Sequence, residues 1–146
     1  EMVHKTVHEI INTIVDKDYN AIEENFEIRK MFKEMFQAAD TSPLYQLKKH
    51  YPEIYQKVMS RELDECNMCF KQNIVKGIQQ ELYREDLDVD IYVKFYYSLI
   101  FSIKENTSSE REATKLELQA LEYHTRAMAT PKGIAELEKQ LLKTKI

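Results

Sequence analysis

Cys66-Asn67-Met68-Cys69 sets two thiols at the spacing of a dithiol redox motif. That chemistry needs a partly exposed thiolate at a strand-to-helix turn. Both cysteines fall instead in the middle of a helical pattern, and no second pair completes a zinc site. They are expected to pack as small hydrophobes on one face. His4 and His8 stand one helical turn apart, a metal-competent spacing, with Glu1 and Glu9 nearby. The zinc-protease pattern fails because Glu9 is followed by Ile10, Ile11 and Asn12, where a second histidine is required. A di-iron site in a helical bundle needs two Glu-x-x-His motifs, and Glu1-Met2-Val3-His4 supplies one. His124 lies on the apolar side of its helix beside Ala120 and Ala127, the place of a core or interface histidine. Neither Gly77 nor Gly133 belongs to a glycine-rich loop that could cradle phosphate. The expectation is therefore no catalytic residue, no metal and no cofactor.

The elements that carry these residues are helical throughout. Two glycines and three prolines leave too few turn residues for hairpins or sandwiches. No run alternates with the period of two that a half-buried strand shows. Stop signals divide the chain into about seven helices. The first covers about 2–16 and the second about 19–39, where Ile22, Phe26, Phe32, Met35 and Phe36 share a face opposite Glu23, Glu24, Lys30 and Lys33. Ser42-Pro43 opens a short helix that stops before Tyr51-Pro52, and Pro52 begins the longest one, to about Leu82. Asp88 and Asp90 start a fifth helix that runs to about Glu105. Ser109 with Glu112 forms a capping box for a sixth, to Ala129, and Thr130-Pro131 caps the last. The fold class is all-α, an antiparallel helical bundle in a single domain spanning 1–146.

Composition narrows the partners. Twenty-one Lys and Arg against 25 Asp and Glu give a net charge of −4, the wrong sign for a protein that neutralises phosphates. The longest strongly apolar stretch, Ile91 to Ile103, is interrupted by Lys94, Ser98 and Ser102 and falls short of the about 20 residues a membrane span needs. No membrane partner is expected. Two cysteines without a secretory signal fit a reducing, cytoplasmic setting. Helical periodicity begins at Val3 with no leader, as in a fragment of a longer chain.

Nine tyrosines, six phenylalanines and six methionines stand outside any catalytic arrangement. Many of them line helix faces that a bundle turns inward. A cavity for a small apolar effector would be walled by Phe32 and Phe36 on the second helix, Tyr55, Met59, Cys66 and Phe70 on the fourth, and Tyr92 and Tyr96 on the fifth. Plain core packing is the alternative for the same residues.

The fifth and sixth helices carry apolar residues on more than one side. At 100° steps Phe101 points away from Tyr92, Tyr96, Leu99 and Ile103, towards Lys94 and Ser98, with Ile91 and Ser102 at the edge. On the sixth, Leu118, Leu121 and Met128 form a second stripe beside Ala113, Leu116, Ala120 and Ala127. Two buried faces on adjacent helices describe half of an intermolecular four-helix bundle, so a homodimer is expected through Ile91, Lys94, Ser98, Phe101, Ser102, Leu118, Leu121 and Met128.

Three segments resemble TetR-family transcriptional regulators. Gly77-Ile-Gln-Gln-Glu-Leu-Tyr-Arg84 is similar to the family's "G-I-x-x-G-x-Y-R" ending of a long helix, and Asp88-Val-Asp90 to the "D-x-D" that opens its first dimerisation helix. Leu44-Tyr-Gln-Leu-Lys-Lys-His-Tyr-Pro-Glu-Ile-Tyr55 resembles the "Y-x-L-K-K-Y-P-x-I-Y" phrase of one branch, and Glu122 to Gly133 that branch's ending. Glu81 stands where the family usually has a second glycine and is expected to extend the long helix. The resemblance implies an effector-binding and dimerisation domain: ligand-cavity helices over about 2–87, dimerisation helices over about 88–130 and a terminal helix over 131–146. It implies that DNA is contacted only through an N-terminal helix-turn-helix domain absent from this chain. The competing interpretation is a helical module that dimerises or docks a protein partner and takes no small molecule.

Overall fold

A computed structural model describes residues 11–35 and 43–144, with side chains at all of these except 32–35, 43–45, 59, 62–66 and 110. The chain is an all-helical bundle, and no strand forms among the described residues. A helical stretch at 11–15 (α1) is followed by α2 (Ala21–Met35), α3 (Pro43–His50), α4 (Pro52–Gln79), α5 (Val89–Asn106), α6 (Glu110–Met128) and α7 (Pro131–Thr144). Ser42, expected to cap α3, and His4 and His8 lie outside the described residues.

Local chemistry sets the helix starts. Asn20 and Glu23 cap α2 reciprocally: Asn20 Oδ1 accepts from the Glu23 amide at 2.9 Å, and Glu23 Oε1 accepts from the Asn20 amide at 3.3 Å. Asp88 accepts from Ile91 N at the start of α5, and Ser109 from Glu112 N at the start of α6. Thr130 Oγ1 accepts from Gly133 N to open α7.

The end of α4 differs from the expectation. The helix stops at Gln79, and Glu81, expected to prolong it, takes a left-handed conformation with φ 63°. Leu82 N then donates to Gly77 O at 2.9 Å and Glu81 N to Ile78 O at 3.0 Å, the paired bonds of a Schellman stop. Glu81 thus occupies the position at which a glycine is favoured, and it terminates the helix.

Behind this stop the chain locks onto the α6–α7 junction. Arg84 N donates to Met128 O, and Thr130 N to Leu82 O, each at 2.9 Å, forming an isolated antiparallel bridge. Thr130 Oγ1 donates to Glu81 O, and Arg84 Nη2 to Ala127 O at the end of α6. Leu82 and Tyr83 are buried in the main core with Ile22, Phe26, Ile74, Met128 and Leu137.

Helix α4 packs on α3, α5 and α2; α5 packs on α6, and α6 on α2, closing a ring of four helices. Helix α7 covers α2 and α6 from outside. A smaller cluster, Ile100, Ile103, Ala113 and Ala120, holds the α5–α6 seam. Lys48 ties α3 to the end of α5, donating to the carbonyls of Lys104 and Thr107. Among the described residues no helix is long and apolar enough to cross a membrane.

Candidate functional site

Tyr96 of α5 projects into the ring. Its phenol stacks on the His124 imidazole of α6, with centroids 4.1 Å apart and planes 18° from parallel. Phe70 of α4 meets the Tyr96 ring edge-on at 5.2 Å. His124 is buried, and desolvation pushes its pKa down from 6.5 to about 4, so the imidazole is neutral at pH 7. The same burial pushes the Tyr96 phenol well above its ordinary range; Glu117 adds to the effect and Arg29 opposes it.

Polar groups converge on this aromatic stack. Arg29 comes from α2, where its Nη2 donates to the Thr114 carbonyl at 2.5 Å and its Nε is buried without a hydrogen-bond partner. Desolvation lowers its pKa, against the field of Glu117. Glu117 of α6 is ion-paired with Lys104 at 3.1 Å, although its Oε1 makes no well-formed hydrogen bond. Tyr83 places a buried hydroxyl beside Asn25, with no well-formed hydrogen bond. Burial drives that phenol upward, and Tyr96 reinforces the shift. Asn67 Oδ1, on α4, is buried and unpartnered as well.

A satisfied polar layer closes the α2–α4 seam beside these groups. Asn73 Nδ2 donates to Ala21 O and to Glu24 Oε1, each at 3.0 Å, and Asn25 Nδ2 donates to Asn73 Oδ1 at 2.8 Å. Lys76 Nζ meets Glu24 Oε2 at 2.6 Å. Glu24, expected on the solvated side of α2, is therefore buried with every demand of its carboxylate met.

Of the residues expected to wall a cavity, Phe70 and Tyr96 meet here. Tyr92 packs against the same core, with its hydroxyl accepting from Arg84 Nη2 at 3.2 Å. Tyr55 is buried, but it sits under the Lys48 ammonium near the start of α4, about 22 Å along the helix from Phe70. Phe32, Met59 and Cys66 lie on α2 and α4 with side chains outside the described set, and Phe36 lies outside the described residues. Cys69 is a half-buried free thiol whose pKa is raised by desolvation and by Glu24.

The outer faces of α5 and α6 correct part of the expected dimer surface. Ile91, Lys94, Ser98 and Ser102 are exposed. Phe101 is half-buried, stacked on Tyr97 at 6.2 Å and packed on the smaller cluster. Leu121 and Met128 lie in the protomer's own core and Leu118 packs against it, because α6 is flanked by α2 and α7 as well as α5. Leu121 and Met128 therefore have no free surface, while Leu118 keeps part of its own. The exposed large apolar residues described on these two helices are Ile91 and Phe95 on α5, the latter 63% accessible, and Leu116 and Tyr123 on α6, the latter 73% accessible. Phe95 follows Ile91 by one turn and continues to Ser98 and Ser102, a spacing that marks it on the outer stripe.

Arg29, Asn67, Tyr83 and Glu117 were not singled out from the sequence. A signal exists nonetheless: Asn25 and Arg29 share the i, i+3, i+4, i+7 row of Ile22 and Phe26, and Glu117 the row of Ala113, Ala120 and His124. Polar residues interrupting an inward row need internal partners. Among the described residues no group of three His, Cys, Asp or Glu side chains is arranged to hold a metal ion. Comparison with protein-family models, curated proteins and solved structures finds no match.

Proposed function

We propose that this chain is the ligand-responsive domain of a TetR-like transcriptional regulator, acting as a repressor, that binds a small, mostly apolar effector within the four-helix ring and forms a homodimer. The observation that carries the proposal is the Tyr96 cluster. Rings from three helices form it, and the buried Arg29 Nε beside it has no hydrogen-bond partner. Native interiors leave few polar atoms in that condition, and a ligand that supplies the missing partner stabilises the form it binds. Helices α4 and α5 both touch the cluster and pack on each other, so a ligand that favours one packing over another biases their relative placement. The domain does no chemistry of its own, works in the cytoplasm, and leaves DNA to a helix-turn-helix domain outside these 146 residues.

The test is a thermal-shift screen of small apolar molecules on the 146-residue chain, with each hit repeated on Tyr96→Leu. A ligand that raises the melting temperature of the wild type and loses most of that effect in the variant supports the site. Hits that stabilise both proteins equally, or no hits at all, remove it.

A docking module without a ligand is the second reading, favoured by the exposure of Phe95 and Tyr123. It predicts a protein that self-associates or captures a partner while ignoring every small molecule in that screen.

A further inference from the structure

Two cationic side chains and one carboxylate stand at the Tyr96 cluster, and their pairing is unequal. Lys104 engages Glu117 at 3.1 Å. Glu24, the buried carboxylate of the adjoining layer, is taken by Lys76 and Asn73. Arg29 has no carboxylate within 4.0 Å among the described residues; its guanidinium is held by one neutral carbonyl, that of Thr114, and its Nε–H has no acceptor. The anion that acts on it, Glu117, stands beyond ion-pair distance and is engaged by Lys104, so this half-buried cation loses hydration for a shared counter-charge only.

We infer that the effector of this site is an apolar-bodied carboxylate whose anionic head pairs with Arg29 while its body lies against Phe70, Tyr96 and His124. The inference rests on the effector-binding reading and adds the chemical class of the ligand. A carboxylate accepts up to about four hydrogen bonds and matches the planar guanidinium fork. Tyr83 supports the same polarity: it is 1% exposed, and its hydroxyl, beside Asn25, makes no well-formed hydrogen bond. An ammonium head would face two like charges, Arg29 and Lys104, against the single carboxylate of Glu117, which Lys104 already engages. A hydroxyl head would leave the guanidinium charge unbalanced. His124, neutral at pH 7, serves as part of the apolar wall.

Three probes with one body and different heads separate these cases: 4-phenylbutyrate, 4-phenylbutanol and 4-phenylbutylamine, titrated by calorimetry into the full chain at pH 7. The expected ranking is butyrate tightest, at least about 10-fold above the alcohol, with the amine weakest. Arg29→Gln is expected to bring butyrate down to the alcohol's affinity and to leave the alcohol within about 2-fold. The wild-type ranking stands as a test even where that variant folds poorly. Alcohol or amine binding as tightly as butyrate overturns the inference and leaves the effector reading intact, as does an Arg29→Gln variant that weakens all three alike. Binding of none of the three, nor of octanoate, octanol and octylamine, removes the effector reading and this inference with it.

Discussion

A Cβ atom added to Gly77 would lie 2.2 Å from Cδ2 of the Tyr83 ring and 2.4 Å from Cε2. The last turn of α4 and the chain that reverses beneath it are in contact closer than any side chain permits. Tyr83 is fully buried and has nowhere to retreat. Gly77→Ala should therefore destabilise the fold by about 1–3 kcal/mol, although alanine is the better helix former by about 1 kcal/mol. Urea unfolding followed by circular dichroism measures the sign; a neutral or stabilising result contradicts the close approach.

Glu81 offers the opposite experiment. Its left-handed backbone costs an ordinary residue about 1–2 kcal/mol, part of which glycine recovers before its greater freedom in the unfolded chain is charged against it. Glu81→Gly should raise the urea midpoint, with a gain of about 0.5–1 kcal/mol and an unchanged slope. A loss of stability would mean that the carboxylate makes a contact worth more than the strain.

The buried imidazole of His124 makes acid stability a local matter. Its pKa is about 4 in the fold against an ordinary 6.5, so between these values the unfolded chain binds the extra proton. The contribution of His124 is complete above about pH 6.5 and disappears as pH falls through that window towards 4, a change of up to about 3 kcal/mol. His124→Phe keeps a ring against Tyr96 and should flatten the profile between pH 4 and 6.5. Nuclear magnetic resonance titration of the imidazole near 6.5 would contradict the burial.

Self-association should respond to the outer stripe and not to the inner one. Phe95→Lys places a charge on the most exposed phenylalanine of α5 and should shift the protein towards monomer in light scattering coupled to size exclusion, with its helical content intact. Leu121→Lys buries a charge in the protomer's own core and should instead unfold it. A wild type that is monomeric at micromolar concentration defeats the first expectation.

Helix starts were legible because single residues mark them. Pro43 and Pro52 open α3 and α4, and Asp88, Ser109 and Thr130 cap α5, α6 and α7. The end of α4 was not, since a stop normally announced by glycine is made by Glu81. Phe70 and Tyr96 could be read onto an inward face from their spacing alone. Arg29 and Glu117 could not, because a polar residue on an inner row looks solvated until the helix opposite is known to supply Thr114 or Lys104. The dimer stripe of α6 failed for a related reason: periodicity shows that Leu121 and Met128 are covered, but not that α2 and α7 cover them.

The bridge between Tyr83 and Ala129 fastens one end of α4 to the α6–α7 junction. At 28 residues α4 is about 42 Å long. A rod clamped at one tip is a lever. A tilt of about 5° about the clamp carries Pro52 through roughly 4 Å while the core at Leu82 stays almost still. Helix α3, seated on α4, travels with that far tip, and through Lys48 it drags on the last turn of α5. A tilt of α4 about this clamp would thus be smallest at Leu82 and largest at Pro52 and α3.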